Sequence, residues 1–288
     1  MDTNISEELK HLQDDINNLV YDTFRGVSGY DDFSVPCIPR ISPQYLKNRF
    51  VILAQETDTW YPNCGRFSEF AQSKIEDVEK KLYEERYDVF SEWASESYPG
   101  AFWEFTRNLY NKGILEPPIH TKKWLTHCWM NLFCIEKCVD KRDNHGRPSQ
   151  HKDLAKEVMS IQGNLVFQIL ALIKPKIILA TTAHFNDSFL LKNGLGSDWS
   201  QVEFKTADEE HIYATNHLAE ILIKDESNPL YGVKILRSYH PNFFSKRINR
   251  KNIFIDIEKQ LSDKKMTKSG YYQKILFETL KKWEMEYA

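Results

Sequence analysis

Three short stretches carry side chains that could do chemistry. Gln55-Glu56-Thr57-Asp58 sets two carboxylates beside an amide, Asn131 closes an apolar run, and His240-Pro241-Asn242 offers an imidazole. A carboxylate can stabilise a cation or orient water, an amide pairs donor with acceptor, and an imidazole can donate to a leaving atom near neutral pH. Such a set suits acid–base or charge-stabilised bond cleavage. Singly, each has a plainer reading. Glu56 and Asp58 could cap the next helix, Asn131 could sit in a turn, and His240 could be a hydrogen-bonded structural histidine. Their occurrence directly after three separate apolar runs favours the functional reading.

Those runs are RFVILAQ (49–55), a stretch around 127–135 in WLTHCWMNLFCIEKC, and VKILRSY (233–239), with IILATT (177–182) as a fourth. Short, continuous and apolar, they read as strands buried on both faces. Between them lie helical patterns. Ile5, Leu9, Leu12, Ile16, Leu19 and Val20 share one face of a helix over 5–20, another spans 153–173 and stops before Lys174-Pro175, and two close the chain at about 250–262 and 270–286. Residues 73–95 are charged and helix-permissive. Residues 140–152, DKRDNHGRPSQHK, read as a polar surface loop. The stretch 194–232 is long and polar, with HIYAT and HLAEILI as the strands of a possible hairpin. Alternating strands and helices predict an α/β fold, three layers deep, around a mostly parallel four-stranded sheet. Residues 1–44 form an N-terminal helix and connection packed on a domain over 45–288, which carries an insertion near 194–232. Ligands of such sheets bind beyond the carboxyl ends of the strands.

With 41% hydrophobic and 13% aromatic residues, the 288-residue chain can bury a sizeable core, which excludes a disordered protein. The formal net charge of −3 means that any nucleic-acid reader here needs a local basic patch. The acidic, polar start MDTNISEELK lacks the plan of a signal peptide, and no run approaches the ~18 apolar residues of a membrane helix, so a cytoplasmic protein is expected. The cysteines are five, an odd number with no CxxC, which argues for reduced thiols and against a zinc or iron–sulfur site. No Gly-rich phosphate loop follows the first strand, so a nucleotide-binding Rossmann domain is a poor fit.

VILAQETD resembles the first motif of the uracil-DNA glycosylase superfamily, VILGQDPY in its best-known branch. SYHPNFFSKR resembles the second, HPSPLS followed by basic residues, and Asn131 matches the family's base-reading asparagine. The outer motifs lie 185 residues apart, from Gln55 to His240, in the family's order. The likeness covers about residues 45–262. There are departures: Ala54 stands for a glycine, Glu56 for the water-activating aspartate, Thr57-Asp58 for Pro-Tyr, and Asn242 for the serine of HPS. Some branches hold a four-cysteine iron–sulfur cluster; Lys137-Cys138 is similar to one segment of it, but partner cysteines are missing, so no cofactor or metal is expected.

The resemblance implies a monofunctional DNA glycosylase that flips a pyrimidine out of DNA and hydrolyses its N-glycosidic bond. Glu56 would stabilise the cationic sugar and orient water, and His240 would donate to the departing base oxygen. Asn131 would read the base edge, Gln55 would contribute to the pocket, and Phe67, twelve residues past Gln55, would stack on the base, with Phe70 and Phe90 in reserve and core packing as the even alternative. Asn242, Phe244, Lys246, Arg247 and Arg250 would engage DNA, Phe244 as an apolar wedge and the cations on phosphates. Asp58, smaller than tyrosine and polar, predicts a wider pocket wall and a substrate with a bulky or polar 5-substituent, such as a hypermodified base of phage DNA, hence a defence enzyme. The alternatives are ordinary uracil repair and a catalytically silent nucleic-acid sensor.

Overall fold

Phe50–Ala54 forms strand β1, and all five residues are buried, the mark of a strand covered on both faces. Cys128–Asn131 (β2), Ile177–Ala180 (β3) and Lys234–Arg237 (β6) run parallel with it, in the order β2-β1-β3-β6 across the sheet. The computed structural model describes residues 3–30, 32–56, 67, 70, 73–74, 90, 93–94, 99–117, 125–137, 146–206, 215–244 and 268–287.

The sheet is larger than expected. Val202–Lys205 (β4) and Ala219–Ile223 (β5) add antiparallel strands beyond β6, making six strands rather than four, four of them parallel. Both strands lie within residues 194–232. AEILI alternates buried with half-buried residues, as an antiparallel strand near a sheet edge does. Of HIYAT, only Thr215 is among the described residues, and it lies in a turn.

Helices flank both faces. α1 (Thr3–Phe24) buries Ile16, Val20 and Phe24, one helical turn apart. Gln13 ties it to the following connection, donating to the Pro39 carbonyl and accepting from the Ile41 N–H. α2 (Pro43–Asn48) starts at Ser42, whose hydroxyl accepts from the Tyr45 N–H, and ends at Arg49 in the left-handed region, which turns the chain into β1. α3 (Ala101–Asn111) and α6 (Lys268–Tyr287) lie on the sheet face that carries Trp129 and Lys234, through Trp103 on Trp129, Phe105 on Phe277 and the Lys234 ammonium over Trp283.

The helix expected over 153–173 is two helices, α4 (Lys152–Gln162) and α5 (Leu165–Ile173). Gly163 breaks it with φ 57° and ψ −129°, a conformation open to glycine. The break turns Gln162 inward: its amide accepts from Cys134 N–H and donates to the Leu132 carbonyl, clamping the turn after β2. The expected helix at 250–262 lies outside the described residues, and the one at 270–286 corresponds to α6. Among the described residues, no helix is long and apolar enough to cross a membrane.

Candidate active site

The chain leaves β1 for β2 on one side and returns past it to β3 on the other, so β1 and β3 flank the point where the winding reverses. In open α/β sheets a crevice for ligands opens there, beyond the strand ends. Gln55 bridges it, donating from Nε2 to the Thr182 carbonyl at 2.8 Å, while its own carbonyl accepts from Phe133 N–H. Gln55 thus belongs to the frame of the rim.

Ala183 has φ 59° and ψ 158°, strained for a residue with a Cβ and costing about 1–3 kcal/mol. The strain is held by Ala183 N–H on the Ser238 carbonyl and by Asn186 Nδ2, which joins Gln55 on the Thr182 carbonyl. It bends the chain across the rim from β3 toward the end of β6. Thr181 and Thr182 keep buried hydroxyls without a partner there.

Glu56 is half-buried, and its two oxygens accept from Ser149 N–H at 2.8 Å and Ser149 Oγ at 2.6 Å. Of the stretch expected to be a surface loop, the described part from 146 on folds onto the site instead: Gly146 and Pro148 are buried, and Ser149 bonds the carboxylate. Two residues before Ser149, Arg147 lies close enough to His240 to act on its charge. One short segment thus binds Glu56 and sets a cation near His240.

His240 is half-buried, its ring nearly parallel to that of Phe102 at 6.3 Å. Burial, reinforced by the Arg147 guanidinium, lowers its pKa to about 4, so it is neutral near pH 7. Asn242 N–H points at Nδ1 at 3.2 Å. Nδ1 is then the acceptor and the proton sits on Nε2, which makes His240 a neutral donor.

Asn131, at the end of β2, is 1% exposed and rests Nδ2 on Cys37 Sγ at 3.6 Å, while Oδ1 has no partner. Cys134 Sγ in turn contacts the Asn131 carbonyl. Burial pushes the Cys134 thiol up to about 12 and raises that of Cys128 as well, which makes both poor nucleophiles, and Cys37 is buried too. Among the described residues, no group of three His, Cys, Asp or Glu side chains is placed to hold a metal; Cys64 and Cys138 lie outside them.

Phe67 packs edge-on against Phe24 at 5.6 Å, is 1% exposed and donates its N–H to the Phe33 carbonyl. Phe70 joins that cluster. This placement is core packing beneath α1, not a ring offered at the rim. Phe90 is different: it meets Trp129 at 4.9 Å and Trp103 at 5.6 Å, in an aromatic wall that reaches His240 through Phe102. Asp58, Lys246, Arg247 and Arg250 lie outside the described residues. Phe244 ends a short 3₁₀ turn, Pro241–Phe244, and Asn242 is exposed.

Beside His240, the Tyr239 hydroxyl lies 3.2 Å from His217 Nδ1 and 3.4 Å from His184 Nδ1. The hydroxyl carries one proton, so it can donate to only one of the two imidazoles. Behind them Arg237, 1% exposed, donates to the Thr215 and Asn216 carbonyls and pairs with Asp187 at 3.1 Å.

Arg147, Ser149, Phe102 and Arg237 were invisible to the sequence reading. Phe102 and Arg237 sit inside ordinary helix and strand patterns, and Arg147-Pro148-Ser149 has no periodicity. The one signal was a proline flanked by Arg and Ser within a polar stretch too long for a simple turn. No protein-family model, curated protein or solved structure matches the chain.

Proposed function

We propose that the chain is a DNA glycosylase that hydrolyses the N-glycosidic bond of a flipped-out uracil or 5-modified pyrimidine. The observation that carries this reading is the segment Arg147–Ser149, which binds a carboxylate, Glu56, through Ser149 and sets the Arg147 cation near a neutral imidazole, His240, at the ends of the parallel strands. The bond from C1′ to the base nitrogen breaks, and its electron pair leaves with the base. His240 Nε2–H donates to the oxygen on which that charge gathers, as a fixed neutral donor. Glu56 faces the cationic sugar, orients a water for attack on C1′ and takes its proton. Free base and an abasic site result. Asn131 supports the reading as a buried amide with one end open. The role in defence against modified phage DNA follows from the substrate class and stands with it.

The test uses oligonucleotides carrying uracil, thymine and 5-hydroxymethylated pyrimidines. Release of free base with alkali-labile strand breaks supports the proposal. Failure to release any base, from single strands or duplexes, overturns it.

A further inference from the structure

Two buried polar atoms on one side of β2 lack a partner. They are Trp129 Nε1 and Asn131 Oδ1. Trp129 pairs in register with Ile52 and Asn131 with Ala54, so the two side chains leave the same face of the sheet, one pleat apart, about 7 Å along the strand. Native proteins leave few buried polar groups unpaired, and two so close on one face call for a common partner. Trp129 is 6% exposed and Asn131 1%, so bulk solvent does not account for them.

The surroundings say what kind of partner fits. Phe90, Phe102 and Trp103 stand around the Trp129 indole at 4.9 to 6.0 Å, and the Phe102 ring continues to His240. The site therefore has aromatic walls, one donor that can only donate and one open amide oxygen. A flat heterocycle with a ring N–H and an outlying oxygen matches that pattern. Uracil and thymine supply the N–H but carry nothing at position 5 that accepts.

We propose that Trp129 is a specificity-determining residue: its indole N–H takes an oxygen carried on the 5-substituent of a pyrimidine whose ring edge is read by Asn131. The inference rests on the glycosylase reading for the identity of the ligand. It narrows the substrate to pyrimidines with an oxygen-bearing 5-substituent, of which 5-hydroxymethyluracil is the simplest. A methyl group would leave the indole unpaired and gain nothing from it.

The experiment reads the indole directly. The protein, ¹⁵N-labelled on tryptophan, is bound to duplexes holding one 2′-fluoroarabino nucleotide, which resists cleavage, with uracil, thymine or 5-hydroxymethyluracil as the base. The Trp129 resonance, one of seven, is assigned from the backbone and by its loss in Trp129→Phe. It is expected to shift with 5-hydroxymethyluracil alone. Base release from cleavable duplexes is measured in parallel, and Trp129→Phe should lower the preference for 5-hydroxymethyluracil over uracil about 5- to 10-fold, the scale of one hydrogen bond. Base release with an indole blind to the substituent overturns the role of Trp129 and leaves the glycosylase. An indole that responds without any base release overturns the glycosylase and leaves the binding site. An indole that never moves, with no release, overturns both.

Discussion

Ser149 holds both oxygens of Glu56, one through its backbone N–H and one through its hydroxyl. A carboxylate bound in this way has its orientation set before substrate arrives, which is where positioned charge gains its effect. Glu56→Gln should lower single-turnover base release at least ~100-fold, the scale of a lost charged stabiliser. Ser149→Ala keeps the backbone donor and should cost roughly 10-fold, through kcat more than KM. Quench-flow on the preferred substrate checks both. Wild-type rates in Glu56→Gln would remove the residue from the mechanism.

His240 should set the acid limb of the rate profile. Its competent form is neutral, since protonation at Nδ1 would break the contact with Asn242 N–H. With the pKa lowered to about 4, activity should hold from pH 8 to pH 5 and fall below that. Arg147→Gln removes the neighbouring cation, so the limb should move up toward the ordinary histidine value of about 6.5. His240→Ala should lower release at least ~100-fold. A limb that stays put in Arg147→Gln would show that burial alone lowers His240.

The parallel strands, their order in the chain and the rim residues at their ends were legible, because continuous apolar runs of four to six residues have few other readings. HLAEILI was read as a strand and holds β5, but its place in the sheet and its partner β4 were not legible. The mostly exposed β4 has a weak alternation, set by the edge of a sheet that the sequence does not reveal. The break at Gly163 was missed because the apolar period runs on through it. Phe67 fitted a stacking ring by its count from Gln55, but a count along a loop says nothing of direction, and contact with Phe24 and Phe70 commits the ring to the core. The Glu56–Ser149 contact joins residues 93 apart, and no local pattern encodes it.

Stability should fall as the solution is acidified from pH 7. His127 is fully buried, and burial lowers its pKa to about 3. The unfolded chain binds its proton near pH 6.5 and the folded chain does not. The stability it contributes is complete above pH 6.5 and lost as pH falls toward 3, at about 1.4 kcal/mol per pH unit. His240 acts in the same sense down to about 4. Asp187, raised to about 6, opposes them between pH 6 and 4, because there the folded state binds the extra proton. The histidines should prevail. Urea unfolding at pH 7, 6 and 5 measures the slope, and His127→Phe should flatten it; a slope that is flat in the wild type would contradict the burial of His127.

Arg237 and Asp187 offer a test of how the turn before β5 is fastened to the sheet. The pair is buried at 3.1 Å, yet the contact is not an aligned hydrogen bond, and the Asp187 pKa is raised because desolvation outweighs the attraction of Arg237. Such a pair adds little net stability while both partners are present, but breaking it strands a charge. Arg237 also donates to the Thr215 and Asn216 carbonyls, which fixes the turn leading into β5. Arg237→Leu should therefore cost about 3–5 kcal/mol, part of it the unpaired carboxylate. Asp187→Asn in that background should recover at least 1 kcal/mol, since a neutral amide no longer carries the stranded charge. Asp187→Asn alone should cost less than Arg237→Leu, because Arg237 keeps its two carbonyls. Chemical unfolding of the two single variants and the double variant gives the cycle. Equal costs for the single variants, with no recovery in the double, would show that the turn at 215–217 does not depend on Arg237 and that the pair is not coupled.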